Sequence, residues 1–300
     1  MKPFRPYQGE KDAVLMTRLM VQDIAGSVDR RTFGDYLKGI LKKANSRNTL
    51  IMESCGYIRI FNDHEFGFLR FDLEKTKRSG IAACALKEKL KEVCHRSRKN
   101  LRIMLRDDKG WKHVLVKQLG FSPIRYFFEM ERTRIEKQWD MIDFHAERLV
   151  LEPYSPKLDI RDFNRCFNAV YADSFEHEPA SVKEWKEDIA EGELNGNTFF
   201  VLKNNTNKTV GFLILSHYLH HQQGHKYGFI EEIGVIDAYR GRGIGTRLLK
   251  YGVGCLQSDY KQRHVRLHVD GENRYKALEI YKKEGFSVKS MNIEYQYRAK

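Results

Sequence analysis

The chain has few of the features that mark secreted, metal-binding or membrane proteins. Its 300 residues include five cysteines, and no two of them form a CxxC pair, so neither a disulfide framework nor a zinc site is expected. The N-terminus has no apolar segment like that of a secretory signal, and no run of about 18 apolar residues occurs anywhere. We therefore expect a reduced, cytoplasmic protein that does not enter a membrane.

Signatures of nucleic-acid binding are also missing. No helix-turn-helix, RNP or zinc-finger pattern occurs, so no specific nucleic-acid partner is expected. Positive charge, by contrast, is abundant: 53 Lys and Arg against 40 Asp and Glu give a formal net charge of +13. Such a chain attracts polyanions or phosphorylated cofactors, but taken alone the charge is better explained by a solvated lysine-rich surface.

The length of the chain suits two domains of about 150 residues each. Three sequence echoes, which occur in the same order in both halves, favour two related domains. They pair Phe4–Tyr7 with Leu151–Tyr154, Lys77–Ala82 with Arg240–Gly245, and Leu119–Phe121 with Glu284–Phe286. We place the boundary near residue 145, which gives domains 1–145 and 146–300.

Hydrophobic periodicity in the second half predicts an α+β domain, with a mixed sheet that carries helices. Helical spacing predicts one helix from Ile244 onward and another over Asn273–Lys283, which Gly285 ends. Apolar or alternating stretches predict strands at Thr198–Leu202, Val210–Ser216, Tyr227–Val235, His264–Val269 and Ser287–Tyr297.

The most informative segment is RGRGIGT, residues 240–246, between a strand and a helix. Its alternate glycines let ligand oxygens approach the backbone, and the first amides of a helix have no intrahelical partner. Together with the helix dipole and the arginines, this predicts an anion site, whereas a plain strand–helix turn is the structural alternative. Because Thr246 replaces a glycine and no GK[ST] follows, the segment is neither a GxGxxG fingerprint nor a P-loop.

The same loop matches the Arg-x-x-Gly-x-Gly pattern of the GNAT (GCN5-related) N-acetyltransferases through residues 240–245. The following helix carries Ala277, Tyr281 and Gly285 in the Ala-x-x-x-Tyr-x-x-x-Gly-Phe spacing common in that family. The segment Leu151–Tyr297 therefore resembles a GNAT domain. With the internal echoes, the resemblance implies two tandem GNAT-type domains, each a mixed, mostly antiparallel sheet flanked by helices.

The resemblance implies that acetyl-CoA is the cosubstrate and that no metal takes part. The coenzyme would lie between two diverging parallel strands, Tyr227–Val235 and His264–Val269, with its pyrophosphate on the loop amides and its pantetheine arm along the first strand. The residues assigned to coenzyme binding on this basis are Ile233, Gly234, Val235, Arg240, Gly241, Arg242, Gly243, Ile244, Gly245, Thr246, Asn273 and Tyr281.

Three residues are assigned to catalysis on the same basis. Tyr281 stands where family members often place an acid for the departing thiolate, and Glu231 or Glu232 would take the proton of the attacking amine. Alternation along a strand puts the two carboxylates on opposite faces, and we favour Glu231 because it would share a face with Ile233 and Val235. The alternatives are ordinary strand carboxylates and a packing tyrosine.

The implied activity is transfer of acetyl from acetyl-CoA to a primary amine by direct attack in a ternary complex. A small-molecule acceptor is favoured, a protein N-terminus is the alternative, and a non-catalytic acyl-CoA sensor is the competing class. Leu194–Asn197 and His217–Lys226 would select the acceptor, and the histidines of the second segment lack the spacing of a metal site. The oligomeric state stays open, with a homodimer among the options.

The first half resembles a degenerate copy of the same module. Its loop, residues 77–82, keeps only one of the three glycines, and Asp108 and Val116 stand in place of Asn273 and Tyr281. Valine cannot donate a proton, and an aspartate is unfavourable beside coenzyme phosphates. We expect a structural or pocket-shaping role for this half, with weak coenzyme binding as the alternative.

Overall fold

The structure, a computed structural model, describes residues 4–22, 30–52, 55–62, 66–106, 110–137, 139–153, 155, 159–175, 177–187, 198–218 and 227–299. These residues form two compact units: the first contains residues up to 127 and 290–299, and the second contains 128–218 and 227–289. The units differ from the contiguous division predicted near residue 145. The difference at the C-terminus arises because residues 292–297 pair with residues 101–106 of the first half.

Twelve strands and eight helices are present in the described residues. The strands are β1 (Phe4–Pro6), β2 (Thr49–Met52), β3 (Gly56–Asn62), β4 (Gly67–Leu73), β5 (Leu101–Arg106), β6 (Ser122–Arg132), β7 (Leu149–Pro153), β8 (Thr198–Asn204), β9 (Thr209–Tyr218), β10 (Tyr227–Val235), β11 (His264–Asp270) and β12 (Ser287–Tyr297). The helices are α1 (Glu10–Val21), α2 (Arg30–Lys43), α3 (Gly80–Arg96), α4 (Trp111–Gln118), α5 (Ile160–Tyr171), α6 (182–187), α7 (Ile244–Ser258) and α8 (Ala277–Lys283).

In the first unit, strands β1 to β4 pair antiparallel in chain order, β4 pairs parallel with β5, and β12 pairs antiparallel with β5. Helices α3 and α4 cover one face of this sheet, where Leu90 and Val116 are fully buried. Helices α1 and α2 cover the other face through residues such as Met16 and Ile40. The sheet therefore has an apolar core on each side.

In the second unit, strands β7 to β10 pair antiparallel and β10 pairs parallel with β11. Helix α5 packs on one face, with Phe163 and Val170 against Phe212. Helices α7 and α8 pack on the other face, with Val253 among the buried residues beside Leu213. The arrangement confirms the predicted α+β class and mixed sheet. Among the described helices, none has the length and apolar character needed to cross a membrane.

Both units repeat one local order of elements. After β4 and after β10 the chain makes a short 3-10 turn, at Lys75–Lys77 and Asp237–Tyr239, and then enters a long helix. Gly80 at the start of α3 and Gly243 before α7 have φ angles of 73° and 74°. A strand, a shorter helix and a final strand follow in each case. This agreement supports two related halves.

Candidate active site

Strands β10 and β11 begin side by side and then part. Within these two fully described strands the parallel pairing ends at Ile230 opposite Leu267, although β10 continues to Val235. On its other side β10 stays paired with β9 as far as Val235. Residues 231–235 therefore present a main-chain edge that faces an opening between the two strands, as the resemblance implies.

A β-bulge lies at the point where the strands part. Ile230 is opposite Leu215 of β9 and Glu232 is opposite Ile214, so Glu231 is one extra residue in β10. The Glu231 carboxylate accepts a hydrogen bond from the Ser216 hydroxyl. Because Ser216 and Ile214 are two residues apart on β9, both side chains lie on the face that α5 covers.

Glu232 also points to that face. The hydroxyl of Tyr171, the last residue of α5, donates a hydrogen bond of 2.5 Å to the Oε2 atom of Glu232. Ile233 and Val235 pack with the core on the α7 side instead. The prediction that the two carboxylates lie on opposite faces is wrong, because the bulge adds a residue between the alternating positions; Glu231 does not share a face with Ile233 and Val235.

The surroundings of Glu232 suit a base that works near neutral pH. Burial raises the pKa of Glu232 to about 7, the hydrogen bond from Tyr171 holds that pKa down, and the negative charge of Glu231 pushes it up. A base is most effective when its pKa lies near the working pH. The structure therefore favours Glu232 over Glu231 as the base, a role that stays a prediction for either residue. Sequence reasoning missed Tyr171, which no motif marks.

Tyr281 lies on α8, and its electrostatic environment includes Glu232. Burial raises the pKa of Tyr281 to about 12, and the charge of Glu232 acts in the same direction, so the phenol stays protonated at neutral pH. The Tyr281 ring packs 6.0 Å from the ring of Phe286. Within the described residues its hydroxyl has no hydrogen-bond partner, so it is free to donate to a bound molecule.

The glycine loop has the shape of an anion site. Gly241 and Gly243 have φ angles of 75° and 74°, which explains why both positions are glycine. A Cβ atom added at Gly241, Gly243 or Gly245 would meet no atom within 4 Å, so the backbone is open on this side. The amide of Arg247 bonds to the Gly243 carbonyl at 3.1 Å, whereas the amides of residues 244–246, in the first turn of α7, have no carbonyl one turn earlier in the helix.

The guanidinium of Arg240 is engaged by other groups and does not add a donor beside these amides. Its guanidinium donates to the carbonyl oxygens of Val235 at 2.8 Å and Val170 at 3.0 Å, and it stacks 3.7 Å from the centre of the Tyr275 ring. These contacts tie the loop to the ends of β10 and α5. The expected cationic donor is thus a structural clamp, and Arg242 points its guanidinium to the Ala238 carbonyl at 3.0 Å.

Asn273 also has a structural task. Its Oδ1 atom accepts a hydrogen bond of 3.0 Å from the amide of Tyr275, in a turn that precedes α8. The helix predicted from Asn273 consequently begins at Ala277. The predicted contact of Asn273 with the coenzyme stays a prediction.

In the first unit the parallel strands β4 and β5 also part, after Phe68, and charged side chains meet on β4 beyond that point. Lys112 of α4 donates a hydrogen bond of 2.7 Å to Asp72 on β4, and Arg78 lies 3.7 Å from the same carboxylate. Gln22 donates to the other oxygen of Asp72 at 3.2 Å. A charged network on Asp72 therefore lies on β4 beyond its last parallel pair with β5.

The loop of the first unit is also one residue shorter. Arg78 donates from Nε to the Leu73 carbonyl at 3.2 Å, as Arg240 does to Val235, so Arg78 rather than Lys77 is the counterpart of Arg240. One residue separates Arg78 from Gly80, but two separate Arg240 from Gly243. This corrects the alignment predicted from the sequence echo, and one of Gly241 and Arg242 has no counterpart in the first unit.

Some predicted residues lie outside the described part of the chain. These are Asp108, the acceptor-selecting segment Leu194–Asn197 and most of the second such segment, His217–Lys226. Among the residues that are described, no group of three or more His, Cys, Asp or Glu side chains is arranged to hold a metal ion.

Comparisons with known proteins agree with this geometry. Residues 160–286 match the acetyltransferase (GNAT) family model. N-alpha-acetyltransferase 50 of Danio rerio is 31% identical over 78 residues, which cover 26% of this chain and 46% of that protein. The chain thus spans less than half the length of this relative.

Solved structures of low sequence identity share the fold. A GCN5-related N-acetyltransferase from Sphaerobacter thermophilus has a TM-score of 0.71 at 18% identity and covers 98% of this chain and 95% of its own. A tandem GNAT protein from the clavulanic acid biosynthesis pathway has a TM-score of 0.67 at 13% identity and covers 99% of this chain and 98% of its own. Residues 160–286 are therefore similar in sequence to the acetyltransferase (GNAT) family, and the chain shares the fold of these solved structures.

Proposed function

We propose that the second unit transfers an acetyl group from acetyl-CoA to a primary amine by direct attack in a ternary complex. One observation carries this proposal: a carboxylate with a pKa of about 7, that of Glu232, lies where β10 and β11 part. The protonated phenol of Tyr281 lies within its electrostatic reach. A base and an acid with suitable pKa values therefore flank the end of the opening.

The open edge and the glycine loop fit the coenzyme. Main-chain groups of Ile233 and Val235 would pair with the amides of the pantetheine arm, because among the described strands none pairs with that side of β10 beyond Ile230. The exposed amides at the start of α7 would hold the pyrophosphate, because no Cβ atom obstructs them at Gly243 or Gly245. When bound, acetyl-CoA supplies a thioester whose acyl carbon forms the new amide bond as its C–S bond breaks.

The residues of the chain manage the two protons. Glu232 accepts the proton that the amine loses, and Tyr171 fixes one of its oxygens and leaves the other for this task. Tyr281 donates a proton toward the leaving sulfur. A main-chain N–H near Val235 is the donor we propose for the developing oxyanion.

The paired carboxylates suggest the class of acceptor. Glu231 and Glu232 lie on one face, so their combined charge attracts a protonated amine to the place where its proton is removed. We propose a small-molecule amine in a reduced, cytoplasmic setting. A protein N-terminus is the second candidate, favoured by the 78-residue likeness to an N-alpha-acetyltransferase.

Thiol release tests the proposal. The full chain is incubated with acetyl-CoA and a panel of small amines and short peptides, and free coenzyme thiol is followed with time. Thiol release that depends on one class of amine supports the enzyme and identifies the acceptor class. Tight coenzyme binding without turnover on any amine would instead support a non-catalytic sensor.

A further inference from the structure

Two arginines on the sheet of the first unit face each other, and no carboxylate lies between them in the part of the chain that the structure describes. Arg59 of β3 and Arg70 of β4 are direct partners in the antiparallel register, so their side chains lie side by side on one face. Neither guanidinium makes a hydrogen bond or an ion pair within the described residues. Like charges in opposed strand positions repel, so the arrangement is unfavourable unless a negative group joins it.

The burial of Arg59 makes this repulsion costly. Only 6% of Arg59 is exposed, and its Nε atom is buried without a hydrogen-bond acceptor. A buried charge is normally paired because losing its water is expensive. The carboxylate of Asp72, two residues beyond Arg70, does not neutralise the two arginines, because it is already paired with Lys112 at 2.7 Å.

An aromatic surface lies next to the two guanidinium groups. The Cζ atoms of Arg59 and Arg70 are each 5.4 Å from the centre of the Phe61 ring. That ring stacks on Phe68, with 5.5 Å between ring centres and an angle of 16° between planes. Arginine forks match the geometry of carboxylate and phosphate oxygens, and the stacked rings offer contact to an apolar body.

The register makes Arg70 the counterpart of Glu232. Phe68 pairs with Arg102 across the parallel strands of the first unit, as Phe229 pairs with Arg266 in the second. Counting along β4 from Phe68, without the bulge, places Arg70 where β10 has Glu232. The charge at this position is inverted, which suits an anion and not an amine.

We propose that the Arg59–Arg70 pair is an oxyanion-binding site for a small organic acid, a carboxylate or a phosphate ester with a flat or apolar body. The site lies in the first unit, and it is independent of acetyl transfer by the second unit. An oxyanion between the guanidinium groups would supply the missing acceptors and remove the repulsion.

Calorimetric titration of the full chain tests this site with three probes: inorganic phosphate, phenyl phosphate and benzoate. Arg70→Gln removes one fork from an exposed position and is not expected to disturb folding, and Arg47→Gln removes an exposed arginine elsewhere in the same unit. We expect at least one probe to bind, with affinity about tenfold weaker in Arg70→Gln and within about twofold in Arg47→Gln. The probe that binds identifies the oxyanion.

Thermal unfolding provides a second readout. Without anion, Arg70→Gln should melt at a higher temperature than the wild type, because it removes the repulsion, and its gain on adding anion should be smaller. The proposal is overturned if no probe binds the wild type, or if binding is equal in Arg70→Gln, which would assign it to another site such as the glycine loop. Acetyl transfer, measured in the same variants, should be unchanged and reports separately on the second unit.

Discussion

At the scale of single residues, the chemistry depends on how one carboxylate is buried and held. Glu232 would have an ordinary acidic pKa in water, and burial in the second unit raises it to about 7. Tyr171 supplies the hydrogen bond that moderates this rise and fixes the carboxylate. Burial of Tyr281 raises its pKa to about 12, so its phenol stays protonated at neutral pH. In the proposed mechanism, these three side chains from different elements act together as one acid–base group.

Replacing the base tests its role directly. Glu232→Gln keeps the shape of the side chain but cannot accept a proton, so kcat should fall by about 10²-fold or more while the affinity for acetyl-CoA is retained. Steady-state kinetics and a coenzyme titration measure the two quantities. Glu231→Gln is the matched control and should lose less. A larger loss in Glu231→Gln would transfer the role to Glu231.

The pH profile should report the environment of Glu232. Because the base must be deprotonated, kcat/KM should rise with pH through a midpoint near 7. Tyr171→Phe removes the hydrogen bond that lowers the pKa of Glu232, so the midpoint should move upward. Tyr251→Phe, in the same unit, is the control. An unmoved midpoint in Tyr171→Phe would show that this tyrosine only packs.

Stability should change with pH in a defined direction. The pKa of Glu232 is raised from 4.5 to about 7 on folding, so the folded chain holds this proton more tightly than the unfolded chain. Ionising the group therefore opposes folding, and the stability lost from it accumulates as pH rises from 4.5 to 7. Glu232→Gln escapes this loss. Denaturant titrations should show its free energy of unfolding gaining on the wild type across that window; a constant difference would contradict the burial of Glu232.

At the scale of elements, the site depends on a bulge, a parting pair of strands and a loop. The strands and the glycine loop could be predicted, because apolar periodicity and glycine spacing are local properties of the sequence. The bulge at Glu231 could not, because an extra residue is defined only against the partner strand β9. For the same reason, the partners of Tyr171 and the clamp made by Arg240 required the folded chain.

Alanine variants at two glycines of the loop should change stability in opposite directions but weaken acetyl-CoA binding in both cases. Gly245 has an ordinary φ and open space, so Gly245→Ala should raise the free energy of unfolding by up to about 1 kcal/mol. Gly243 has a φ of 74°, so Gly243→Ala should lower it by about 1 kcal/mol. Both should weaken acetyl-CoA binding, because a Cβ atom intrudes where the pyrophosphate approaches. Denaturant titration and calorimetry measure the two effects, and a Gly245→Ala variant with normal affinity would contradict the loop's role.

At the scale of the whole molecule, two similar units differ in the side chains that lie where their central parallel strands part. In the second unit, no described strand pairs with the β11 side of β10 from Glu231 to Val235. In the first unit, Lys112 and Gln22 both donate hydrogen bonds to Asp72 on the corresponding strand, β4. The sequence indicated a degenerate first copy from its missing glycines, but the charged network on Asp72 and the paired arginines involve residues far apart in the chain, so no local pattern revealed them.

We propose that the second unit alone holds an acyl-coenzyme, on the amides at the start of α7. Calorimetric titration of acetyl-CoA into the full chain tests it most directly. The structure leads us to expect one coenzyme per chain, with affinity reduced in Gly245→Ala. Two coenzymes per chain, or no binding at all, would contradict the proposal that the second unit alone binds the coenzyme.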